Sequence, residues 1–437
     1  MGNTERSSID LSTAAKQGQV KRVGWHRWLI CGLLFAATAF NYVDRQTIAL
    51  LQPTLASEYG WSRQDYADVV RWFMTAYAIG YVAFGHLIDR IGAKLGYSIA
   101  VLIWTCAHLS CALVGGSLTG LKMAQAGLGF GESGNFPAAL KAVAEWFPQK
   151  ERALANGLFN AGTNVGVILT PVIVPFVVLT FGWRWAFVAT GCLSLLWFAT
   201  WAVTYRSPRE DKHVTAEELA YIESDRPAPT KRVPWLKLIF FKETWAFALG
   251  KFLTDPVWYF YTFWLPSYFV DTYHLKVQYI AAPIIIIYVI SDMGSIAGGW
   301  VSSTMIARGA TANLARKLTM LLCAFCVLPV AFATLYVHDM WATAIIIGIA
   351  TAAHQAFSAN LYTIPSDTFP QAAVGSVSGI GGTAGALGGV AMAFGVGEVL
   401  KATGVYTPVF IVAGSIYFLA VIAIHWLTPR LQMVKIA

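Results

Sequence analysis

Charged residues are scarce in this chain, and their scarcity excludes most soluble folds. Asp, Glu, Lys and Arg make up 12% of the 437 residues, which is about half the share of a soluble domain. Hydrophobic residues make up 57%, and the mean hydropathy is +0.56. The polar residues cluster between apolar runs of about 20 residues, the length that crosses ~30 Å of hydrocarbon. The composition therefore indicates a polytopic helical membrane protein.

The chain also lacks the side-chain groupings that catalysis or metal binding needs. No nucleophile–base constellation, phosphate-binding loop or metal-ligand cluster is evident in the sequence. We therefore expect no cofactor, no metal and no enzyme activity. A disulfide framework is not expected either, because all the cysteines fall inside predicted spans: Cys31, Cys106, Cys111, Cys192, Cys323 and Cys326.

Other features that the sequence lacks limit where the protein is expected to be located and what it is expected to bind. Residues 1–27 contain no short apolar region of the kind that a cleavable signal requires, so we expect no such signal. No Asn-x-Ser/Thr sequon occurs, which favours a bacterial source. The net charge is +8, but the basic residues follow the loops of one side, so we expect no nucleic-acid partner. The expected setting is a monomer in a lipid bilayer.

Twelve apolar runs are long enough to span a bilayer. They lie at residues 28–52, 68–88, 96–117, 119–145, 153–180, 183–205, 243–271, 278–303, 315–337, 340–363, 373–399 and 406–428. Basic residues are concentrated in alternate loops, with Arg90 and Lys94 in one, Lys150 and Arg152 in the next, and more at 304–317. The opposite loops are nearly free of Lys and Arg, so the positive-inside rule predicts that both termini are cytoplasmic.

A single long hydrophilic stretch divides the spans into two groups of six. Within it, Thr215 followed by Glu218 is the signature of a capping box, which predicts a short amphipathic surface helix. The chain is thus divided into a cytoplasmic tail, a six-helix bundle, a cytoplasmic linker, a second six-helix bundle and a second cytoplasmic tail. These parts cover residues 1–27, 28–205, 206–242, 243–429 and 430–437.

The two groups of spans resemble each other in sequence. Residues 85–89, Gly-His-Leu-Ile-Asp, answer residues 299–303, Gly-Trp-Val-Ser-Ser, at an offset of 214. Residues 145–149, Glu-Trp-Phe-Pro-Gln, answer residues 367–371, Asp-Thr-Phe-Pro-Gln, at an offset of 222. Duplicated bundles with a binding site between them are a common plan for alternating access in transporters.

The loop between the second and third spans is the most diagnostic motif of the chain. Its sequence, Gly85-x-Leu-x-Asp-Arg-x-Gly-x-Lys94, resembles the signature loop of the major facilitator superfamily. The resemblance implies an all-α membrane fold of twelve transmembrane helices in two pseudo-symmetric bundles. It also implies a gating role at the cytoplasmic end for Gly85, Asp89, Arg90, Gly92 and Lys94. Because Ser303 replaces the acid in the second half, we expect the charged contact of the cytoplasmic gate mainly in the first half.

Other motifs narrow the resemblance. Residues 41–45, 129–133 and 146–153 resemble the anion:cation symporter family within that superfamily. The segments that resemble its hexuronate transporter branch are residues 141–148 and 159–166, and residues 251–266 resemble sugar-acid carriers of the same group. The resemblance to this branch implies proton-coupled uptake of galacturonate or glucuronate.

One position departs from the family pattern. Many members carry Arg seven residues before the Glu of the fourth span, whereas this chain has Gln125 before Glu132. A cation at position 125 would hold Glu132 ionised. Its absence either favours the protonated carboxyl or makes another group the partner of Glu132.

Charged residues at membrane depth are the strongest functional candidates, because each costs about 2.5 to 3.5 kcal/mol at a helix centre. Arg45 offers a planar fork for a substrate carboxylate and stays charged at any working pH. Asp44 and Glu132 are candidate proton carriers, because desolvation favours the neutral form of a carboxyl. The alternative interpretation is a structural ion pair between Arg45 and Asp44 or Glu132.

A sugar acid also needs neutral hydrogen-bond partners and an aromatic face, although each side chain of this kind could equally pack in the core. From the first half we select Tyr42, Tyr77, Asn160, Thr163 and Asn164 as candidate binding residues. From the second half we select Trp258, Tyr259, Tyr261, His354, Gln355, Asn360 and Ser378.

Five further ionisable residues within the predicted spans are candidates for a role in the pathway. Lys251 and Asp255 have i, i+4 spacing, which predicts an ion pair lining the cytoplasmic half of the pathway. His86, His108 and Asp292 are weaker candidates for a proton route.

Together with these charged residues, the resemblance implies a proton-coupled symporter that moves a hexuronate anion across the inner membrane by alternating access. Protonation of Glu132 and Asp44 would free Arg45 for the substrate carboxylate. Two alternatives stay open. One is the same fold with another organic anion, such as galactonate, glucarate or tartrate, and the other is a non-transporting sugar-acid sensor that signals through residues 206–242. The number of protons stays open between one and two.

Overall fold

The computed structural model describes residues 24–225, 233–274 and 281–434, and the regular elements of these residues are all α-helices. The first half holds α1 (His26–Tyr59), α2 (Arg63–Ser110), α3 (Leu118–Glu132), α4 (Asn135–Trp146), α5 (Gln149–Phe181) and α6 (Trp183–Thr204). The linker holds two short helices, α7 (Ala216–Ile222) and α8 (Trp235–Leu238). The second half holds α9 (Lys242–Tyr273), α10 (Ala281–Ala307), α11 (Ala312–Val327), α12 (Val330–Tyr336), α13 (Met340–Leu361), α14 (Ile364–Thr368), α15 (Gln371–Thr403) and α16 (Thr407–Leu427).

The all-α prediction is confirmed, but the helices differ from the predicted spans in three places. The second and third spans form one helix, α2, in which Gly92 leaves helical geometry with φ 86° and ψ 165°. The fourth span is divided directly after Glu132. The ninth is divided at Pro329, which has no backbone N–H to continue the helical hydrogen bonds. Only one or two residues interrupt the helix at each of these places, so the lengths of apolar runs do not reveal the breaks.

Eight helical stretches in the described residues are long and apolar enough to cross a membrane by themselves. α1 and α9 are not among them, although they have 34 and 32 residues. These two helices carry the charged residues Arg45 and Lys251. Their polar faces must therefore be covered by other helices rather than by lipid.

The linker contains the predicted amphipathic helix, α7. Thr215 accepts a hydrogen bond from the backbone N–H of Glu218 at 3.2 Å and caps the helix. The Glu218 carboxylate accepts from the backbone N–H (3.3 Å) and the guanidinium (3.2 Å) of Arg27, which fixes α7 against the start of α1. Residues 1–23 and 226–232, parts of the predicted tail and linker, lie outside the described residues.

Among the helix crossings between the halves in the described residues, two repeat the sequence symmetry in space. α2 crosses α15 at Gly85, which faces the carbonyl of Gly375. α5 crosses α10 at Gly299, which faces the carbonyl of Ala153. Gly299 follows Gly85 by 214 residues, and Gly375 follows Ala153 by 222, the two offsets of the sequence repeat. A Cβ at Gly85 or Gly299 would overlap the facing backbone, so glycine sets how closely the halves approach.

The same two crossings carry equivalent polar contacts of unequal charge. The Asp89 carboxylate accepts from two backbone N–H groups near the start of α15, with Ser376 at 2.6 Å, and pairs with Lys141 at 2.8 Å. At the second crossing, the Ser303 hydroxyl accepts from the backbone N–H of Leu154, near the start of α5, at 3.3 Å. The charged contact therefore lies at the first crossing, where a carboxylate accepts hydrogen bonds from two backbone N–H groups of the other half.

The other predicted gating residues lie at the same end of the molecule. Gly92 breaks α2, Arg90 directly follows Asp89, and the Lys94 carbonyl accepts from the indole N–H of Trp201 at 3.3 Å. Their role in gating stays a prediction.

Buried ion pairs also join the halves at this end, which we call the basic end after its loops at 89–95 and 304–317. The Asp367 carboxylate lies 3.5 Å from Arg152 of the first half and 3.4 Å from Arg316 of the second. All three side chains are buried. The basic end is therefore closed by ion pairs as well as by glycine contacts.

The two polar contacts should differ in strength. Asp89→Asn removes the charge from the hydrogen bonds that Asp89 accepts from Gly375 and Ser376 of the other half, and it should weaken closure of the basic end by about 1.5 to 3 kcal/mol. Ser303→Ala removes one neutral hydrogen bond, which contributes about 0.5 to 1.5 kcal/mol. The measurement is the distance distribution between spin labels on Leu95 and Arg308, one in each half. Asp89→Asn should populate longer distances more than Ser303→Ala, and equal distributions would contradict this difference.

Candidate functional site

Two adjoining cavities lie between the halves and share Tyr42, Trp258 and Tyr259 in their linings. The smaller cavity, of about 410 Å³, extends toward the basic end. The larger, of about 650 Å³, extends from Arg45 in the opposite direction and reaches Tyr66, three residues from the start of α2. The two cavities together form a path that is closed at the basic end and continues toward the opposite end.

Most of the predicted binding residues line these cavities. The smaller cavity is lined by Tyr42, Tyr77, Asn160, Thr163, Trp258, Tyr259, His354 and Gln355, and Arg45 lines the larger one. Helices of both halves supply them, so the structure brings together residues that are far apart in the sequence.

Arg45 and Glu132 form a buried ion pair on the first-half side of the larger cavity. Arg45 Nε lies 2.8 Å from Glu132 Oε2, with the Glu132 side chain fully buried and that of Arg45 15% exposed. The guanidinium lies over the rings of Tyr42 and Tyr77, 4.7 Å from each centroid, and of Phe73 at 5.3 Å. Within the described residues, Arg45 Nη2 and Glu132 Oε1 have no hydrogen-bond partner. The guanidinium therefore retains donor capacity for an anion.

Asp44 faces away from the cavities although it is adjacent to Arg45. Its buried carboxylate accepts from Ser194 at 2.7 Å and lies 3.3 Å from His108 Nε2. The same nitrogen lies 2.7 Å from the Thr190 hydroxyl. Adjacent positions on an α-helix differ by about 100° in direction, so Asp44 belongs to a polar cluster inside the first half. Glu132 is the acid in contact with Arg45.

The second half contributes an aromatic surface and an amide. Trp258 stacks on the His354 ring with centroids 5.4 Å apart and an interplanar angle of 10°, and His354 Nδ1 lies 2.5 Å from the Tyr417 hydroxyl. Asn160 of the first half donates to the Gln355 amide oxygen at 2.7 Å. An aromatic surface combined with oriented polar groups suits a small polar ligand.

Four predicted binding residues lie outside both cavity linings. Asn164 donates to Asp292 at 2.7 Å and joins α5 to α10. Asn360 donates to the Gly298 carbonyl at 3.1 Å and joins α13 to α10. Tyr261 and Ser378 are buried in the helix packing. Amides and hydroxyls that tie helices together look the same in sequence as those that contact a ligand.

Sequence reasoning predicted the pathway-lining pair of Lys251 and Asp255 but missed three other residues that line the smaller cavity. Lys251 and Asp255 form the predicted i, i+4 ion pair, with Nζ 2.7 Å from Oδ2, and both line the smaller cavity. Tyr81, Phe136 and Tyr362 line it as well. Tyr81 lies one turn after a selected tyrosine, and that spacing could have identified it. Nothing in the sequence singles out Phe136 or Tyr362.

The sequence left open which group pairs with Glu132 when position 125 is Gln instead of Arg, and the structure identifies that group. Gln125 lines the larger cavity and donates to Cys111 Sγ at 3.4 Å. The cation next to Glu132 is Arg45 of α1, which replaces the missing arginine of the fourth span as its partner.

Comparison with known proteins identifies the family to which this architecture belongs. A family model described as the Major Facilitator Superfamily matches residues 34–393. The chain belongs to the major facilitator superfamily. A hexuronate transporter of Escherichia coli (strain K12) is 29% identical over 425 residues, which cover 96% of this chain and 98% of that protein. A galacturonate transporter of Dickeya chrysanthemi is 33% identical over 279 residues, which cover 63% of this chain and 81% of that protein.

Solved structures of other major facilitator proteins agree in fold. The fucose:proton symporter FucP of E. coli has a TM-score of 0.71 at 14% identity, covering 92% of this chain and 99% of FucP. A FucP structure in the outward conformation matches equally well. The family and the fold confirm the predicted arrangement of twelve helices in two bundles. This major facilitator protein is therefore a transporter and not an enzyme, and the relatives support the resemblance to the hexuronate transporter branch.

The Arg45–Glu132 pair should contribute to the stability of the transporter. Arg45→Ala and Glu132→Ala each leave one buried partner unpaired, so the double variant should be less destabilised than the sum of the two, with a coupling of about 1 to 3 kcal/mol. Thermal unfolding in detergent measures the four proteins of the cycle. The more exposed Asp68–Arg71 pair is the control, with an expected coupling below about 1 kcal/mol. A coupling no larger than the control value would contradict the pairing of Arg45 with Glu132.

Proposed function

We propose that this transporter imports hexuronate anions, such as galacturonate and glucuronate, together with protons across a bacterial inner membrane. The observation that carries the proposal is the ion pair between cavity-lining Arg45 and buried Glu132. A guanidinium suits a carboxylate, and a buried acid next to it can take up a proton when the anion arrives. Relatives named for hexuronate and galacturonate transport support this substrate class.

The proposal includes an orientation. The positive-inside rule assigns the basic end, with its loops at 89–95 and 304–317, to the cytoplasm. Since the cavities are closed at that end and continue toward the other, the structure corresponds to an outward-facing state. Both termini are then cytoplasmic. One chain supplies both walls of the cavities, so a monomer suffices for transport.

The substrate carboxylate and Glu132 compete for the same guanidinium. While Glu132 is ionised, it occupies the Nε edge of Arg45 and balances its charge. Protonation of Glu132 leaves Arg45 as a net cation in a site of low dielectric constant, where it attracts a carboxylate strongly. A site that holds both the proton and the anion is neutral, as is the empty site. A site that holds one without the other carries a net charge, and the cost of burying that charge opposes leak.

Asp44 is the proposed second proton carrier. It lies on the same helix as Arg45 but contacts Ser194 and His108 instead of the cavity. Its protonation would therefore act through the packing of α1 and not directly on the substrate. A one-proton cycle needs Glu132 alone, and a two-proton cycle uses Asp44 as well.

Electrostatics makes a cotransported cation necessary for accumulation, and the proton is the cation that we propose. A membrane potential of about 100 mV, negative inside, opposes entry of a monoanion by about 2.3 kcal/mol, or about fifty-fold in concentration. One proton per monoanion makes the step electroneutral, and the pH gradient then drives accumulation. A second proton would add the membrane potential as a driving force.

Uptake of labelled galacturonate into proteoliposomes tests the proposal. With the outside more acidic, the internal concentration should rise above the external one, and a protonophore should abolish the accumulation. Competition by unlabelled glucuronate, galactonate, glucarate and tartrate ranks the substrates. Equal uptake with and without a pH gradient, with no accumulation, would refute proton coupling.

Glu132→Gln should separate binding from proton coupling. The amide keeps the size of the carboxylic acid but carries no titratable proton, so proton-driven accumulation should be lost while counterflow exchange persists. Arg45→Ala should abolish both, because the site for the carboxylate is removed. Glu58→Gln is the matched control, since Glu58 also lies in the first half but bonds the Trp183 indole at 2.8 Å near the end of α1. Accumulation that survives in Glu132→Gln would exclude Glu132 as the proton carrier.

A further inference from the structure

A second ion pair lies in the wall of the smaller cavity. Lys251 and Asp255 are one turn apart on α9, with Nζ 2.7 Å from Oδ2. Their side chains are 6% and 17% exposed. With Arg45 and Glu132 in the first half, each half of the transporter contributes one balanced ion pair to the region of the cavities.

The packing around the second pair fixes both of its charges. The Lys251 ammonium lies 4.8 Å from the centroid of the Tyr362 ring, in addition to its contact with Asp255. The Asp255 carboxylate packs against Gly385 of α15, where a Cβ would overlap it. Lys251 is thus held by an anion and a ring face, and it has little freedom to leave Asp255 for a substrate.

The order of residues along α9 decides which charge a substrate meets. α9 starts at the basic end with Lys242, and Tyr259 lines both cavities. From the Arg45 side, the order toward the basic end is therefore Tyr259, Asp255 and Lys251. Because these positions are four residues apart, the backbone of Asp255 lies about 6 Å nearer to Arg45 along α9 than that of Lys251. The Lys251 ammonium reaches back to the Asp255 carboxylate, but Asp255 is the more exposed member of the pair, so its carboxylate is the charge that a ligand extending from Arg45 meets.

The charge of Asp255 would then distinguish sugar acids with one carboxylate from those with two. A hexuronate places its one carboxylate at Arg45, so only its hydroxyl groups reach Asp255, which accepts their hydrogen bonds. An aldarate carries a carboxylate at each end of the same carbon chain. Its second carboxylate would lie against the more exposed Asp255, and the repulsion between these like charges at short range outweighs the attraction of the more deeply buried Lys251 ammonium behind it.

We propose that Asp255 restricts this transporter to sugar acids with one carboxylate and excludes sugar diacids, with Lys251 as its fixed counter-ion. This inference rests on the proposed function and specifies the subclass of substrate within it. Asp255 is a specificity-determining residue in this assignment, whereas Arg45 binds the carboxylate that both classes share.

Competition binding to the purified protein at one fixed pH tests the assignment. Unlabelled galacturonate and galactarate each displace labelled galacturonate. For the wild type, the inhibition constant of galactarate should exceed that of galacturonate by about ten-fold or more. Asp255→Asn keeps the size of the side chain, removes its charge and exposes Lys251 to the second carboxylate. In this variant the ratio of the two constants should fall by about ten-fold or more.

Two further variants separate the charge effect from general damage. The double variant Lys251→Met/Asp255→Asn also removes the cation, so the gain in galactarate binding should be lost. Asp271→Asn removes an acid from the same helix, where Asp271 accepts from the Tyr406 hydroxyl at 2.9 Å outside the cavity linings. It should leave the ratio at the wild-type value.

The outcomes distinguish this inference from the proposed function. An unchanged ratio in Asp255→Asn, or wild-type protein that binds both acids equally, overturns the role of Asp255 and leaves hexuronate transport standing. Wild-type protein that binds neither acid overturns the proposed function and this inference with it. Should Asp255→Asn lose galacturonate binding altogether, Asp255→Ser repeats the test with the same expected change in the ratio.

Discussion

The cost of a bare charge at membrane depth is the constraint on which the centre of this molecule depends. Arg45 and Lys251 lie 2.8 Å and 2.7 Å from acids of their own halves, and both are covered by aromatic rings. Because each pair is contained in one half, the halves can move past each other without pulling these opposite charges apart. A proton and an anion that enter together preserve the same balance.

At the basic end, by contrast, charged side chains of one half contact groups of the other half. Asp89 binds N–H groups of the other half, and Arg152 lies beside Asp367 across the same boundary. These contacts must break whenever the basic end opens, so their strength enters the free-energy difference between the two conformations. The duplicated sequence supplies the geometry twice, but the exchange of an acid for Ser303 makes one crossing weaker. The two crossings are therefore alike in helix geometry but differ in the strength of the polar contacts that close the basic end.

The fold was largely predictable because hydrocarbon requires long apolar runs with internal hydrogen bonds. The break after Glu132 was not predictable, since a kink needs only one or two residues and leaves the apolar run intact. Arg45 and Glu132 stood out in the site because charges in spans are rare. Asn160 and Asn360 could not be told apart, since one amide lines a cavity and the other joins two helices.

The sequence by itself determined the membrane class, the spans, the basic end and the i, i+4 pairing of Lys251 with Asp255, because each follows from composition or from spacing along one helix. Only the tertiary structure decided that Arg45 faces a cavity while Asp44 faces His108, and that the partner of Arg45 is an acid 87 residues away. Helical periodicity fixes which residues share a face. Which face meets a cavity depends on how the neighbouring helices pack, and no single segment of the sequence determines that packing.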